Sequence, residues 1–447
     1  MAQDRILRIT NWSDLGEAER LAFVSRGTEA IDDNELKASV AELVADVQAN
    51  GDDAVSRALK KFDKCDVPAD GLRVTEAEFA AAEATVSATV REGIRVGIAG
   101  IRVFNELVAE PRQWTKEIRP GLTVGEKATP ITSAGLFVPS GKGSFPSVLM
   151  QIGTPAKVAG VETIAVVVPP VPGGRGEVDP AVLCVALELG IENVFRANGP
   201  AGVAALAFGT ESIPKVRKVV GPGSPPVAAA QVICQTFGCH SQILLGPSES
   251  LVVADDSADV RLLAADLLIE AEHGDDSATL LVTPSAELIA AVDAELELQI
   301  AQLPEPRRGY AAASLGRNGG AVLVADLNEA IEVANLYAPE HMQLAVADLD
   351  AALELVEHAG EVLLGQGTPF SLANYVVGIP AALPTGRFAR VTEGITAKTF
   401  MKNISIAQAD AQAMADLGPA TVALADHEDF PAHAAAIRMR LEGSDNS

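Results

Sequence analysis

The segment 250–283 reads SLVVADDSADVRLLAADLLIEAEHGDDSATLLVT, and it decides the fold class. It contains an apolar run at Ser250–Ala254, a helical pattern over Val260–Glu272 and a second apolar run at Thr279–Thr283. Short aliphatic runs separated by a helix are typical of buried parallel strands joined by a crossover. The segment therefore predicts a strand–helix–strand unit of an α/β protein.

The same alternation continues on both sides of this segment, in two series of candidate strands. The first series comprises Gly135–Val138, Thr163–Val168, Asn193–Arg196 and Val216–Val220; the second adds Ala321–Ala325, Met342–Val346 and Val362–Leu364. Two series predict two Rossmann-like parallel-sheet domains, with small helical N- and C-terminal segments. Ligands of such sheets are expected beyond the carboxyl ends of the strands.

The changes in pattern along the chain also suggest domain boundaries. Residues 1–32 are expected to form an N-terminal helical segment, and residues 379–447 a C-terminal segment. Residues 33–130 and 246–378 would form a first, discontinuous α/β domain, with long helices over 33–61 and 75–107. Residues 131–245 would form the second Rossmann-like domain.

Composition excludes several classes of partner. The chain has 447 residues, with 34 Lys and Arg against 60 Asp and Glu, for a net charge of −26. Such a charge repels phosphate backbones and anionic lipid surfaces, so binding to nucleic acid or to a membrane is not expected. There is no basic start followed by an apolar run and no apolar run long enough to span a bilayer, so the cytoplasm is the expected compartment.

The four cysteines match no disulfide framework or zinc ribbon. Cys234, Cys239 and His240 lie close together, which invites a metal-site interpretation. Small apolar residues flanking a loop are the favoured interpretation of the two cysteines.

The string Ala338-Pro339-Glu340-His341 is the strongest candidate for chemistry. The Ala-Pro step predicts an extended Ala338, which places Glu340 and His341 at the edge of a regular element. Histidine can take and return protons near neutrality, and a carboxylate beside it can orient it or activate water. Taken alone, the string is more typical of a strand cap with a surface histidine.

Other polar residues gain meaning only in combination. Glu270 and His273 are three residues apart on a predicted helix, so they share a face and could bind one metal ion. The alternative is a histidine favoured by the helix dipole. Ser248 lies in a turn that alone would be an ordinary polar turn, and His433 alone would be a solvated tail histidine.

Two glycine-rich turns, at 138–144 and 220–224, each follow a predicted strand and precede a helix. Such a turn lets a ligand approach the backbone, and the helix N-terminus favours phosphate. Neither turn is a full dinucleotide-binding fingerprint, and a tight strand-to-helix turn is the alternative for each.

Together these strings resemble the histidinol dehydrogenase family, in order over about residues 134–440. The strings are Gly-Leu-Phe-Val-Pro (135–139), Ala-Leu-Ala-Phe-Gly-Thr-Glu (205–211), Val-Gly-Pro-Gly (220–223), Gly-Pro-Ser-Glu (246–249), Ala-Glu-His (271–273), Ala-Pro-Glu-His (338–341) and Leu-Pro-Thr-Gly (383–386). The resemblance implies a homodimer that depends on NAD and on one zinc ion per subunit. It also implies oxidation of an amino alcohol through the aldehyde to the carboxylate.

The resemblance assigns roles by position. His341 matches the general base, Glu340 the residue that activates water, and Ser248 a substrate contact. Zinc ligands match Glu270, His273, Asn374 and His433. Glu428 matches a substrate contact that reaches in from the partner subunit, which implies an exchanged C-terminal segment. The family has Gln where this chain has Glu270 and Asp where it has Asn374, so the two departures preserve the charge of the ligand set.

Other departures lie in the substrate and nucleotide contacts. Ala381 replaces a histidine of the family, and at the NAD-binding positions Phe137, Ala201 and Ser224 replace Tyr, Gln and Asn. The preferred interpretation is a zinc- and NAD-dependent oxidoreductase that acts on a small primary alcohol other than histidinol. True histidinol dehydrogenase is the close alternative. An alternative of another class is a catalytically silent protein that binds a small molecule.

Overall fold

The computed structural model describes residues 5–25, 33–139, 145–242 and 246–444. By its contacts the chain divides into two compact units. The first comprises Met1–Glu106 and Ile131–Phe400, and the second comprises Leu107–Pro130 and Met401–Ser447.

The first unit contains a parallel sheet of six strands. In chain order these are β1 (Ile9–Asn11), β9 (Glu249–Ala254), β10 (Ala278–Thr283), β11 (Gly320–Leu323), β12 (His341–Ala345) and β13 (Glu361–Leu364). Their spatial order is β1-β11-β10-β9-β12-β13. In register, His341 of β12 lies between Ser250 of β9 and Glu361 of β13.

A second parallel sheet in the same unit has five strands. They are β4 (Ser133–Phe137), β5 (Thr163–Val168), β6 (Val194–Arg196), β7 (Lys218–Val220) and β8 (His240–Gln242). Their spatial order is β6-β5-β4-β7-β8. The fold is thus α/β with two parallel sheets, as the sequence predicts.

Helices cover these sheets. Those of the first unit are α1 (Glu17–Val24), α2 (Asn34–Ala58), α3 (Glu76–Thr85), α4 (Ala88–Val108, whose last two residues belong to the second unit), α5 (Pro146–Ala159), α6 (Pro180–Glu188), α7 (Gly199–Phe208), α8 (Pro225–Gln235), α9 (Val260–Ala271), α10 (Ala286–Ile300), α11 (Arg307–Ala313), α12 (Leu327–Tyr337), α13 (Leu349–Glu354) and the single turn α14 (Phe370–Leu372). None of the described helices is both long and apolar enough to cross a bilayer.

Apolar clusters on both faces account for the continuous aliphatic runs in the strands of the six-stranded sheet. Val252 and Leu281 pack on one face with α9 and α10, whereas Leu251 and Val253 pack on the other face with α12. Strands buried on both faces cannot alternate between apolar and polar residues.

The second unit is built differently. Its antiparallel sheet consists of β2 (Gln113–Arg119), β3 (Leu122–Pro130) and β14 (Met401–Ala409), in the order β14-β3-β2. Helices α15 (Ala411–His427) and α16 (Pro431–Ser444) pack against each other. Every residue of β2 is exposed.

Every strand predicted in the two series is present, but the predicted terminal segments were incomplete. The N-terminal segment supplies strand β1, and the C-terminal segment supplies the nine-residue strand β14. The helix expected over 75–107 is two helices, α3 and α4. The helix expected over 33–61 is α2, which is kinked at Gly51 and packs against α7 and α8 beside the five-stranded sheet.

Candidate active site

Strand β12 begins with His341, whose side chain is almost completely buried. Its Nδ1 lies 2.5 Å from Oε1 of Glu361, the residue in register on β13. An ionised carboxylate only accepts hydrogen bonds, so Nδ1 carries a proton, and in the neutral imidazole the lone pair lies on Nε2. The ring of Phe370 packs edge-on against the imidazole at 5.8 Å between centroids. These contacts fix the tautomer and the orientation of the imidazole.

A glycine allows Glu361 to reach this position. A Cβ on Gly360 would lie 2.4 Å from the carbonyl oxygen of Glu340, so only glycine lets the two strand ends approach so closely. The backbone N–H of Glu361 then donates to the same carbonyl at 3.1 Å. Gly360 therefore sets the pairing that brings Glu361 to His341.

Glu340 is buried next to His341. Its Oε2 accepts a hydrogen bond from the backbone N–H of Glu249 at 3.1 Å, and its Oε1 lies 3.7 Å from Nε2 of His341. Burial raises the pKa of Glu340 to about 8, despite the nearby imidazole. A carboxyl group with a pKa near neutrality is suited to general acid–base work.

Glu270 and His273 stand at the C-terminal end of α9, together with Asn374. Glu270 Oε2 lies 3.1 Å from Nδ1 of His273, and Glu270 Oε1 accepts from Nδ2 of Asn374 at 2.8 Å. The same Oε1 is 4.0 Å from Nε2 of His341. Glu270 thus contacts two other predicted metal ligands, His273 and Asn374, and lies next to the predicted general base.

Two glycines of α4 allow the segment that carries Asn374 to lie close to that helix. A Cβ on Gly97 would lie 2.6 Å from the carbonyl oxygen of Tyr375, and a Cβ on Gly100 would lie 2.6 Å from that of Val376. This close approach places Asn374 against Glu270.

Buried carboxylates outnumber the imidazole they surround. Burial alone would lower the pKa of His341, but Glu270, Glu340 and Glu361 together raise it to about 10. Burial also opposes ionisation of Glu270, yet His341, His273 and Asn374 hold the pKa of that carboxyl below its usual value. The C-terminal end of α9 adds a partial negative charge. This surplus of negative charge favours a bound cation.

The donor atoms fit a zinc ion only in part. In the described part of the chain, no three His, Cys, Asp or Glu side chains are arranged to hold a metal. Glu270 and His273 would supply two ligands, and Asn374 would supply an amide oxygen after its side chain turns over. Oxygen and imidazole donors are both compatible with zinc.

One cavity of about 540 Å³ is lined by Glu270, His273, Glu340, His341 and Asn374. Ser248 and Ala381, both predicted to lie near the substrate, line it as well. Apolar residues also line this cavity, among them Phe145 and Leu383.

Two expectations about this region were wrong. Ala338 is not extended; its φ of 50° and ψ of 64° place it in the left-handed region, where its N–H donates to Ala334 and ends α12. The cap of the helix overrides the preference imposed by Pro339. The cluster also lies at the amino ends of β9, β12 and β13, not beyond their carboxyl ends.

The predicted nucleotide contacts lie at the other sheet. Phe137 ends β4 and Ser224 precedes α8, and both line a second cavity of about 830 Å³. Ala201 is buried in the first turn of α7, next to Pro200, which lines that cavity. The first and second cavities share Pro139. Most of the predicted glycine-rich turn at 138–144 lies outside the described residues.

The remaining predicted residues belong to the second unit. Glu428 follows α15 and His433 lies in the first turn of α16; both side chains are exposed. The His433 ring packs against Phe430 at 5.1 Å between centroids. Their part in a site shared with another subunit stays a prediction.

The cysteines behave as the sequence suggests. All four are free and buried. Burial raises the pKa of Cys234 to about 12 and that of Cys239 to about 11. His240 is exposed on β8.

Sequence reasoning missed two carboxylates of the site, Glu361 and Glu249. Each is the first residue of a buried strand, and Glu249 accepts from the N–H of Gly386 at 3.2 Å. Their only signal was an acidic residue directly before an apolar run, which is typical of many solvated strand ends.

Comparison of the sequence and the fold with those of known proteins identifies one family. The family model for histidinol dehydrogenase matches residues 26–441. A histidinol dehydrogenase homolog of Colwellia psychrerythraea is 40% identical over 432 residues, or 96% of each chain. A histidinol dehydrogenase of Synechocystis is 39% identical over 436 residues, covering 98% of this chain and 99% of the relative. The crystal structure of histidinol dehydrogenase from Elizabethkingia anophelis superposes with a TM-score of 0.93, at 31% identity and over the whole of both chains.

Proposed function

Because this chain belongs to the histidinol dehydrogenase family of oxidoreductases, we propose that it oxidises a small primary alcohol through the aldehyde to the carboxylate, with NAD as oxidant and zinc at the Glu270 site. The observation that carries the proposal is the contact of His341, which lines the first cavity, with Glu361, Glu340 and Glu270. It unites a fixed base, a second acid–base group and a candidate metal ligand.

His341 would act in both oxidations. The surrounding carboxylates raise the pKa of His341 to about 10, and a bound cation that offsets their charge would free Nε2. Nε2 would then accept the proton of the substrate hydroxyl, while Glu361 holds the proton on Nδ1 and stabilises the imidazolium. Zinc, when bound, would lower the pKa of that hydroxyl, and NAD would accept the hydride.

Glu340 would serve the second oxidation. Its raised pKa lets it take a proton from the water that attacks the aldehyde and return it later. Oxidation of an alcohol to a carboxylate removes four electrons, so two NAD are reduced for each alcohol.

Glu270, His273 and Asn374 would hold the zinc, with His433 of a second copy as the fourth ligand. Support comes from the two positions at which this chain departs from the family's Gln and Asp. There, the amide of Asn374 donates a hydrogen bond to the carboxylate of Glu270 at 2.8 Å. One carboxylate and one amide would therefore still serve the same site. About one zinc per subunit is expected.

We also propose a homodimer with an exchanged C-terminal segment. Large apolar side chains are exposed on the second unit, among them Trp114, Ile118, Ile404 and Phe430. A second copy that covers them would also supply Glu428 and His433 to the site.

The proposed substrate is not histidinol. Ala381 leaves the cavity without the histidine that the family resemblance implies near the substrate. True histidinol dehydrogenase activity is the alternative, because His341, Glu340 and His273 are retained. Identity alone does not decide, since relatives named histidinol dehydrogenase and histidinol dehydrogenase homolog match equally well.

The direct test incubates the zinc-loaded protein with NAD and a panel of alcohols that includes L-histidinol, and follows NADH absorbance. NADH is expected with at least one alcohol, at a higher rate than with L-histidinol. Preference for L-histidinol would establish the alternative. No NADH with any alcohol, together with tight binding of one of them, would favour a catalytically silent binding protein.

A further inference from the structure

The second cavity adjoins the first, since Pro139, two residues after β4, lines both. In the proposed reaction the nicotinamide ring has to lie in the first cavity, beside His341, to accept the hydride. The rest of the dinucleotide then extends past Pro139, which places its adenosine end in the second cavity. The volume of that cavity, about 830 Å³, is typical of pockets that enclose a small ligand.

A half-buried carboxylate is fixed at the wall of the second cavity. Asp63 ends the single turn that follows α2, and it lines this cavity. Its Oδ1 accepts a hydrogen bond from Nδ2 of Asn198 at 2.5 Å. Oδ1 of Asn198 in turn accepts from the backbone N–H of Gly199, at the start of α7, at 2.7 Å. The carboxylate of Asp63 is therefore held in one orientation against the N-terminus of α7.

The second oxygen of this carboxylate is available to a ligand. Among the described residues no donor reaches Oδ2 of Asp63, and Asn198 is the side chain that contacts Oδ1. Burial raises the pKa of Asp63, and the hydrogen bond from Asn198 opposes that rise. A carboxylate that is partly withdrawn from water is stabilised by a further donor.

Two other carboxylates line the second cavity, but neither is held in this way. Asp46 accepts from Arg57 at 2.8 Å, and Glu42 is exposed on α2. Arg57 and Lys61 are the cationic side chains among the described residues of this lining. Three carboxylates thus stand against two cations. A ligand that brings an additional phosphate into this cavity would add to a surplus of negative charge.

The chemistry of a carboxylate selects among the groups of an adenosine. An ionised carboxylate only accepts hydrogen bonds, so a ligand group that pairs with it has to be a donor. The ribose hydroxyls are such donors, and acidic side chains bind the ribose 2′-hydroxyl of NAD in other dinucleotide-binding sheets. NADP carries a phosphate on that hydroxyl. The phosphate removes the donor and repels the carboxylate.

We propose that Asp63 binds the 2′-hydroxyl of the adenosine ribose through Oδ2, and that this contact makes the protein select NAD against NADP. The inference rests on the proposed NAD-dependent oxidation and names the residue that distinguishes the two cofactors.

The test measures dinucleotide binding by calorimetric titration of the zinc-loaded protein, without alcohol. The ligands are NAD, NADP and the analogue of NAD that lacks the 2′-hydroxyl of the adenosine ribose. The proteins are the unmodified form, Asp63→Asn and Asp66→Asn. Asparagine keeps the shape of Asp63 and an oxygen that accepts from Asn198. Asp66 is the matched control, because it is exposed, pairs with Lys60 at 2.9 Å and does not line the second cavity.

The unmodified protein is expected to bind NAD about 10- to 100-fold more tightly than either NADP or the 2′-deoxy analogue, the range for a hydrogen bond to a charged group. Asp63→Asn should lose most of both preferences, because NAD then binds more weakly and NADP is no longer repelled. Asp66→Asn removes the same charge from the same turn and should keep both preferences.

Equal affinities of the unmodified protein for NAD and the 2′-deoxy analogue, or unchanged preferences in Asp63→Asn, would overturn the inference. The same losses in Asp66→Asn would overturn it too, since they would arise from net charge alone. If Asp63→Asn is not recovered folded, Asp63→Ser provides the same comparison.

Failure of the proposed function gives a different result. A protein that binds NAD with these preferences but forms no NADH with any alcohol would refute the proposed oxidation and leave the role of Asp63 intact. A protein that binds none of the three dinucleotides would refute both.

Discussion

The two parallel sheets of the first unit present opposite ends to their cavities. The first cavity lies at the amino ends of β9, β12 and β13 and at the C-terminal end of α9. The second lies at the carboxyl end of β4 and at the N-termini of α7 and α8. One sequence pattern, strand and helix in alternation, thus produces two different electrostatic environments.

The difference follows from the helix dipole. A helix C-terminus carries partial negative charge and favours a cation, whereas a helix N-terminus favours an anion such as a phosphate. Buried carboxylates strengthen the first environment, at Glu270, Glu340 and Glu361. The second has mostly apolar residues at its predicted nucleotide contacts, such as Phe137 and Ala201. Chemistry and metal binding are therefore expected at the six-stranded sheet, and nucleotide binding at the five-stranded sheet.

The largest effect is expected from a substitution that removes the proposed base at the six-stranded sheet. His341→Asn should lower kcat about 100- to 10,000-fold with both alcohol and aldehyde, because the general base is lost. Zinc content should be unchanged. His240→Asn, on the exposed edge strand β8, is the control and should keep full activity. Near-normal turnover of His341→Asn would contradict its role.

The next effect concerns the carboxylate–amide pair. Glu270→Gln alone should weaken zinc binding by at least the 10- to 100-fold typical of perturbed metal sites, because the carboxylate is lost. The double variant Glu270→Gln/Asn374→Asp should recover most of the affinity, since it restores one carboxylate and one amide in contact. Zinc affinity measured by competition with a chelator checks this. Additive losses in the double variant would show that the two positions do not share a ligand.

The third effect is a pH dependence of stability that arises at the six-stranded sheet. Burial raises the pKa of Asp266 on α9 to about 6, although its carboxylate accepts a hydrogen bond from Gln343. The folded protein therefore binds this proton more tightly than the unfolded chain does. The stability it contributes is present at low pH and is lost as the pH rises through about 6.

Asp266→Asn should remove this dependence. Between pH 4 and 8 the unmodified protein should lose about 1–2 kcal/mol of unfolding free energy relative to the variant. Denaturant unfolding across that pH range measures the difference. A constant difference between the two proteins would contradict the raised pKa.

The smallest effect concerns the five-stranded sheet. Phe137→Tyr and Ser224→Asn should each add a polar contact for NAD and tighten its binding about 5-fold, the contribution of one neutral hydrogen bond. Zinc affinity should not change. Titration of NAD followed by protein fluorescence tests this, and a change in zinc affinity instead would break the assignment of separate roles to the two sheets.

The sequence predicts the buried strands well because continuous aliphatic runs of this length, bounded by turns, are typical of strands covered on both faces. Strands β1 and β8 are three residues each, and β2 is wholly exposed, so none of them carries such a run. These strands, together with β3 and β14, could not be recognised by periodicity.

The site was predicted only in part for similar reasons. Glu340, His341, Glu270 and His273 could be assigned through long motif strings. Glu361 acts through its register with His341, which depends on the close approach at Gly360 and leaves no local signal. The site lies at amino ends because Glu340 precedes β12, His341 begins it, and Glu270 lies near the C-terminus of α9, the crossover helix between β9 and β10. The expectation of a site beyond the carboxyl ends did not take this order into account.

The central claim is that the cluster around His341 carries out a two-step oxidation. The most direct measurement is the number of NADH formed per molecule of alcohol consumed, in the unmodified protein and in Glu340→Gln. Two NADH per alcohol, with carboxylate as the product, are expected from the unmodified protein. Glu340→Gln should approach one NADH per alcohol and accumulate aldehyde-level product, because water is no longer activated. One NADH per alcohol in the unmodified protein, or an unchanged ratio in the variant, would contradict the two-step oxidation.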